Sequence, residues 1–196
     1  MRSWSEIERD ALTEMFNLGM GVAAASLSKM VGSEVDLFVP SLDFISMSEV
    51  SARLHKNEGR LVTIREVFHG AFTGEAFLIF PEEGSLHIVG TLLETPECPD
   101  GLTESAREAM CEVGNIVLNA CLASLCNMLR QEIRTELPEL AYWEDTEERH
   151  DTVGIFMRMD FRIRNTGHHG YLLIFMHADS VNALKVQIDS VLAELS

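Results

Sequence analysis

Glu14-Met15-Phe16-Asn17, followed by Ala25-Ser26-Leu27, returns 98 residues later as Glu112-Val113-Gly114-Asn115, followed by Ala123-Ser124-Leu125. At the same offset Met30 falls on Met128 and Pro40 on Pro138, and Leu78-Ile79-Phe80 reappears as Leu173-Ile174-Phe175 at an offset of 95. A repeat at a fixed spacing means that one structural unit is written twice, and this constrains the architecture before any element is assigned. We read the chain as a single domain, 1–196, made of two repeats, 1–95 and 102–196. The linker at 96–101 is punctuated by Pro96, Pro99 and Gly101.

Each repeat opens on a long helical pattern. Ser3 and Ser5 are each followed three residues later by a glutamate, Glu6 or Glu8, the spacing of a capping box. Helical apolar spacing then runs to about Val31, where Gly32 supplies a stop. The second pattern covers Thr103 to Arg130. β-favouring stretches follow: Val35 to Ile45, Leu61 to His69 and Ala71 to Phe80, then Glu132 to Leu137, Thr152 to Ile163 and Tyr171 to His177. Breaks at 68–70 and 165–170 predict hairpins and mostly antiparallel pairing. Helices near Glu82 to Leu93 and Ser180 to Leu195 close the repeats, and Ser46 to Lys56 adds a short helix to the first alone. The predicted class is α+β: an internally duplicated α-β sandwich with pseudo-twofold symmetry, its antiparallel sheet packed on two long helices.

Composition bounds the function. Fifteen basic residues stand against 31 acidic ones, a formal charge of −16, which repels nucleic acid and anionic lipid. The N-terminal residues lack the apolar core of a signal peptide, and we expect no uncharged apolar stretch near the roughly 20 residues of a membrane span. The expectation is a soluble, cytoplasmic protein. Cys98, Cys111, Cys121 and Cys126 lack zinc-ribbon spacing and read as reduced, mostly buried thiols.

Projected at about 100° per residue, Asp10, Glu14, Asn17, Gly21, Ala24 and Ser28 share one narrow stripe of the first helix. Leu12, Met15, Phe16, Leu18, Met20, Val22, Ala23 and Leu27 spread over the remaining arc and are expected to bury. Glu108, Glu112, Asn115 and Asn119 form the equivalent stripe of the second helix. Gly19, Gly21, Ala23, Ala24 and Ala25 follow Asn17, and a glycine inside a helix costs about 0.5–1 kcal/mol relative to alanine. Small residues there admit close approach, either by a neighbouring helix or by a partner docking on the Glu/Asn stripe.

Asp10, Glu14, Asn17 and Pro40 resemble the signature of the CheC family of chemotaxis phosphatases: Asp or Ser, three residues, Glu, two residues, Asn, twenty-two residues, Pro. Glu112, Asn115 and Pro138 repeat it, with Glu108 where the family has Asp or Ser and Gly114 where the first copy has Phe16. Two copies on a chain of this length resemble the two-site CheC type more than the single-site CheX type. The resemblance implies a phosphatase acting on the aspartyl phosphate of a CheY-like response regulator. It implies Glu14, Asn17, Glu112 and Asn115 as the catalytic residues, with Asp10 and Glu108 in supporting, docking roles. Each Asn would orient water beside the phosphorylated Asp, and each Glu would meet the receiver's active-site Lys. The resemblance implies no cofactor of the chain's own, with magnesium carried by the phosphorylated receiver.

Two other readings stand beside this one. A non-catalytic module would dock on the deamidase CheD or on a flagellar switch component. A dimerisation domain would pack the small-residue stripes together and bury Glu14 and Glu112. The oligomeric state stays open at this stage. His168-His169 reads as an exposed turn pair and the acidic run 144–148 as a solvated loop.

Overall fold

The structure, a computed structural model, describes residues 4–54, 59–94, 102–143, 152–163 and 166–195. The first helix, α1 (Glu6–Val31), begins where the sequence predicts. Ser5 is its N-cap: its hydroxyl accepts from the Glu8 backbone N–H at 3.3 Å, and the Glu8 carboxylate accepts from the Ser5 N–H at 2.5 Å. Gly32 ends the helix at φ 62°, a left-handed conformation that glycine adopts without a Cβ clash. Ser3, the other predicted start, lies outside the described residues, as do the linker 96–101, the acidic run 144–148 and Cys98.

The predicted strand from Val35 to Ile45 is two strands, β1 (Val35–Phe38) and β2 (Leu42–Ile45), broken at Val39-Pro40-Ser41. Proline has no N–H to give to a ladder, which accounts for the break. The short helix α2 (Met47–Leu54) follows, then the hairpin β3 (Leu61–Gly70) and β4 (Gly74–Pro81), and helix α3 (Glu82–Leu92). The second long helix is α4 (Glu104–Met128), capped by Thr103, whose hydroxyl accepts from the Ala106 N–H. After it come β5 (Ile133–Thr135), β6 (Glu139–Tyr142), β7 (Thr152–Ile163), β8 (Thr166–His177) and α5 (Ala178–Leu195). β6 is not among the expected strands, and β8 starts well before Tyr171. The His168-His169 pair therefore belongs to a strand rather than to a turn.

One antiparallel sheet joins all eight strands in the order β1-β7-β8-β4-β3-β5, with β2 also on β7 and β6 also on β3. The opening strands of each half thus pair with the hairpin of the other, so neither half owns a separate sheet. Along β4, Ala76, Leu78 and Phe80 face the main core under α1, α3, α4 and α5, while Phe77 and Ile79 face a second cluster closed by Val50 and Leu54 of α2. This period-2 division places hydrophobic residues on both faces of the central strands.

α4 differs from expectation in one respect: by length and composition it is apolar enough to cross a membrane, with a mean hydropathy of 1.5 over its best 18-residue window. Half of that window is buried inside the protein, because Val113, Val117, Leu118, Cys121, Leu122 and Leu125 face the core. A second tie closes the helical layer: Glu8 pairs with Lys185 of α5, both buried, and the Lys185 ammonium lies 4.7 Å from the Trp4 ring centroid. Burial would raise the Glu8 carboxyl, but hydrogen bonds from Lys185 and Ser5 outweigh it and hold it at about 2.

Candidate functional site

The two long helices lie against each other in opposite directions. A Cβ added at Gly19 would meet Ala120 O and Cys121 Cα at 2.7 Å, and Ser124 Oγ donates to Met15 O at 2.8 Å. Residues early in one helix therefore contact residues late in the other. This contact explains part of the small-residue run: Gly19 and Ala23 are buried, Gly19 against α4. Gly21 and Ala25 are exposed, and a Cβ at Gly21 would meet nothing within 4 Å. The run thus divides between helix packing and an open face.

On α1, Asp10 and Glu14 are exposed, and neither makes an ion pair or hydrogen bond among the described residues. Asn17 is half-buried, and both polar atoms of its amide are bonded. Its Nδ2 donates to Val39 O and its Oδ1 accepts from the Val39 N–H, each at 2.8 Å. Val39 immediately precedes Pro40, so the long gap in the Asn-to-Pro pattern corresponds here to a physical clamp. The amide holds the chain at the break between β1 and β2, where no ladder bond can.

The rest of the α1 surface departs from expectation. Phe16 is completely buried and does not crowd the site. Leu18 and Val22, expected in the core, are 49% and 61% exposed. They sit at the edge of the apolar arc that adjoins Glu14, beyond the reach of both the sheet and α4. With Ile7 they flank Glu14 with apolar surface.

On α4, Glu108 and Glu112 are exposed and likewise unpaired among the described residues, and Asn115 is half-buried. Its surroundings differ from those of Asn17. Leu137, which precedes Pro138, is 87% exposed and makes no bond to Asn115. Instead Asn119 Nδ2 donates to Asn115 Oδ1 at 2.8 Å and to Asn115 O at 3.0 Å, and Thr135 Oγ1 donates to Asn119 Oδ1 at 3.0 Å. The Asn115 Nδ2 has no partner among the described residues. Gly114 is required beneath it, because a Cβ there would come within 2.4 Å of Ile64 Cγ2 on β3.

Sequence reasoning misses Glu66, which lies completely buried on β3 beside Thr135 and Asn119. Burial is the largest influence on its carboxyl and pushes it up to about 7. Neither neighbour makes a direct hydrogen bond to it, because the Thr135 hydroxyl and both Asn119 amide hydrogens are already committed. Between an arginine and a valine in a strand pattern, Glu66 gives no periodic signal. Asn119 stands in the predicted polar stripe without a role.

The remaining candidates supply no second centre. Among the described residues no group of three or more His, Cys, Asp or Glu is placed to hold a metal ion. His168 is half-buried and packs on His87, with ring centroids 4.6 Å apart. Cys111, Cys121 and Cys126 are free thiols, and burial pushes Cys121 up to about 12 and Cys126 to about 11, so neither is a nucleophile at neutral pH.

No family model matches the chain. Among curated proteins it is 23% identical over 139 residues to the CheY-P phosphatase CheC of Bacillus subtilis (strain 168), covering 69% of this chain and 66% of that protein. It is 24% identical over 147 residues to the flagellar motor switch phosphatase FliY of the same organism, covering 74% of this chain and 38% of that one. The solved structure of Thermotoga maritima FliY superposes with a TM-score of 0.80 at 18% identity, covering 97% of this chain and all of that one. The chain is similar in sequence and in fold to proteins of the CheC/CheX/FliY family. Within this family the fold is the α+β arrangement described above.

Proposed function

We propose that the chain hydrolyses the aspartyl phosphate of a CheY-like response regulator in chemotaxis signalling, as a cytoplasmic phosphatase with two Glu/Asn pairs. The observation that carries this reading is the pair on α4, where an exposed, unpaired Glu112 stands one turn from Asn115, whose Nδ2 has no partner among the described residues. An acyl phosphate is already reactive, so the catalyst needs chiefly to place water in line with phosphorus. A carboxamide has the right groups for this, since Oδ1 accepts a proton of the water while Nδ2 donates to a neighbouring oxygen. No covalent nucleophile is needed.

In this account Glu112 and Glu14 pair with the receiver's lysine and hold the helix in register, with Asp10 and Glu108 as outer contacts. Magnesium bound to the receiver would supply charge stabilisation. This chain's residues dock, align and orient. The two pairs are unequal. The Asn17 amide is aimed at Val39, and turning it toward a receiver breaks two hydrogen bonds with a net worth of about 0.5–1.5 kcal/mol each, a cost of roughly 1–3 kcal/mol. Turnover is therefore assigned mainly to Asn115, and the apolar rim of Leu18 and Val22 makes the first pair chiefly a docking face.

We also propose that 1–95 and 102–196 are repeats of one unit related by a pseudo-twofold axis. In support, the strand order reads identically from either edge once β1 is matched with β5, β3 with β7 and β4 with β8. Arg9 on α1 reaches Asp43 on β2, and Arg107, 98 residues later on α4, reaches Leu140 O on β6.

A second reading has one observation in its favour. Exposed Ile7, Leu18 and Val22 around Glu14, beside an amide that is engaged elsewhere, suit a binding module for CheD or a flagellar switch component. Phosphate release from a purified, phosphorylated CheY-like receiver separates the two: acceleration by this chain supports the phosphatase, and binding without acceleration supports the module.

A further inference from the structure

Asn115 is not held as its counterpart is. The positions 98 residues before Asn119 and Thr135 are Gly21 and Leu37, neither of which has a side chain able to orient an amide. In the first half the Val39 backbone does that instead. In the second half both hydrogens of Asn119 Nδ2 go to residue 115, one to Oδ1 at 2.8 Å and one to the backbone oxygen at 3.0 Å. Its own oxygen is fixed from the sheet by the Thr135 hydroxyl at 3.0 Å.

We propose that Asn119 and Thr135 are positioning residues of the second site, forming a relay from β5 to α4 that turns Asn115 Oδ1 toward the C-terminal end of the helix and leaves Nδ2 for the incoming phosphoryl group or its water. The inference deepens the phosphatase reading and rests on it. A carboxamide has a nearly two-fold terminal torsion, so an unrestrained Asn115 would exchange its oxygen and nitrogen freely. One hydrogen bond onto Oδ1 breaks that degeneracy. It leaves a lone pair on Oδ1 for water and both Nδ2 hydrogens for an anionic oxygen. The Glu66 carboxyl lies buried beside the relay and takes no hydrogen bond from it.

The geometry is favourable for a clean test, because Thr135 is exposed and Asn119 is half-buried on a helix where alanine is well tolerated. The full chain is assayed on a phosphorylated CheY-like receiver, with kcat and KM separated, and the Asn115 side-chain amide is followed by 15N NMR. With misalignment of a water-positioning group as the only loss, Asn119→Ala lowers kcat about 10- to 100-fold and leaves KM within about twofold. Thr135→Val lowers kcat about three- to tenfold, while Thr135→Ser, which keeps the hydroxyl, stays within about twofold of the parent. The Asn115 amide signals move in Asn119→Ala and Thr135→Val and hold still in Thr135→Ser. An unchanged kcat in folded Asn119→Ala overturns the relay. If the parent itself shows no turnover, the phosphatase reading fails, and the amide signals alone then decide: movement upholds the relay, and stillness overturns it.

Discussion

Asn17 closes its side-chain amide on the backbone of Val39, 22 residues away, with two hydrogen bonds of 2.8 Å, whereas Asn115 at the equivalent place leaves Leu137 in solvent. The same residue type at the same helical position is therefore a structural clamp in one half and a half-open polar group in the other. Stability separates the two roles. Asn17→Ala leaves the N–H and carbonyl of the buried Val39 without partners and is expected to cost about 1–3 kcal/mol. Asn115→Ala removes no bond to the rest of the fold beyond Asn119 and is expected to stay within about 0.5 kcal/mol. Urea denaturation of both variants checks this, with equal losses as the contrary result.

The helix pair makes a second contrast. A methyl at Gly19 would strike the α4 backbone at 2.7 Å, and overpacking of this kind costs about 1–3 kcal/mol. Gly21 faces open space, so Gly21→Ala should raise stability by about 0.5–1 kcal/mol through helix propensity alone. Thermal unfolding of the two single variants reads the sign directly.

Glu66 makes stability depend on pH. Its folded-state carboxyl is pushed up to about 7 from an ordinary value of 4.5, so in that interval the folded chain keeps a proton that the unfolded chain has lost. Stability therefore falls as pH rises from about 4.5 through about 7 and levels off above. Glu66→Gln, which keeps the shape without the charge, should flatten that slope and gain most at pH 8. Denaturation midpoints for parent and variant at pH 5 and pH 8 test this, and parallel profiles would exclude Glu66 as the source.

Much of this is legible in the residues, and the failures have physical causes. The Ser5/Glu8 capping box, the Gly32 stop and the two long helices follow from local chemistry, which tertiary packing does not override. β6 escapes a sequence reading because Glu139-Leu140-Ala141-Tyr142 is short and weakly patterned, and its pairing with β3 comes from the other half of the chain. Leu18 and Val22 look like core residues because helical projection shows which residues share a face but not how far a neighbouring element extends over it. The Asn17-to-Pro40 spacing is visible as a pattern. That it is a clamp on Val39 depends on the return of the strand beneath α1. Asn119 and Thr135 belong to different elements, and nothing in the linear order joins them.

The most direct test of the central claim is the decay of a phosphorylated CheY-like receiver in the presence of the parent chain, Asn17→Ala and Asn115→Ala, each confirmed as folded. With a release cost of roughly 1–3 kcal/mol at Asn17, the first site should run about 5- to 150-fold slower than the second. The account predicts that Asn115→Ala loses most of the acceleration and Asn17→Ala retains most of it. Full activity in Asn115→Ala would contradict it.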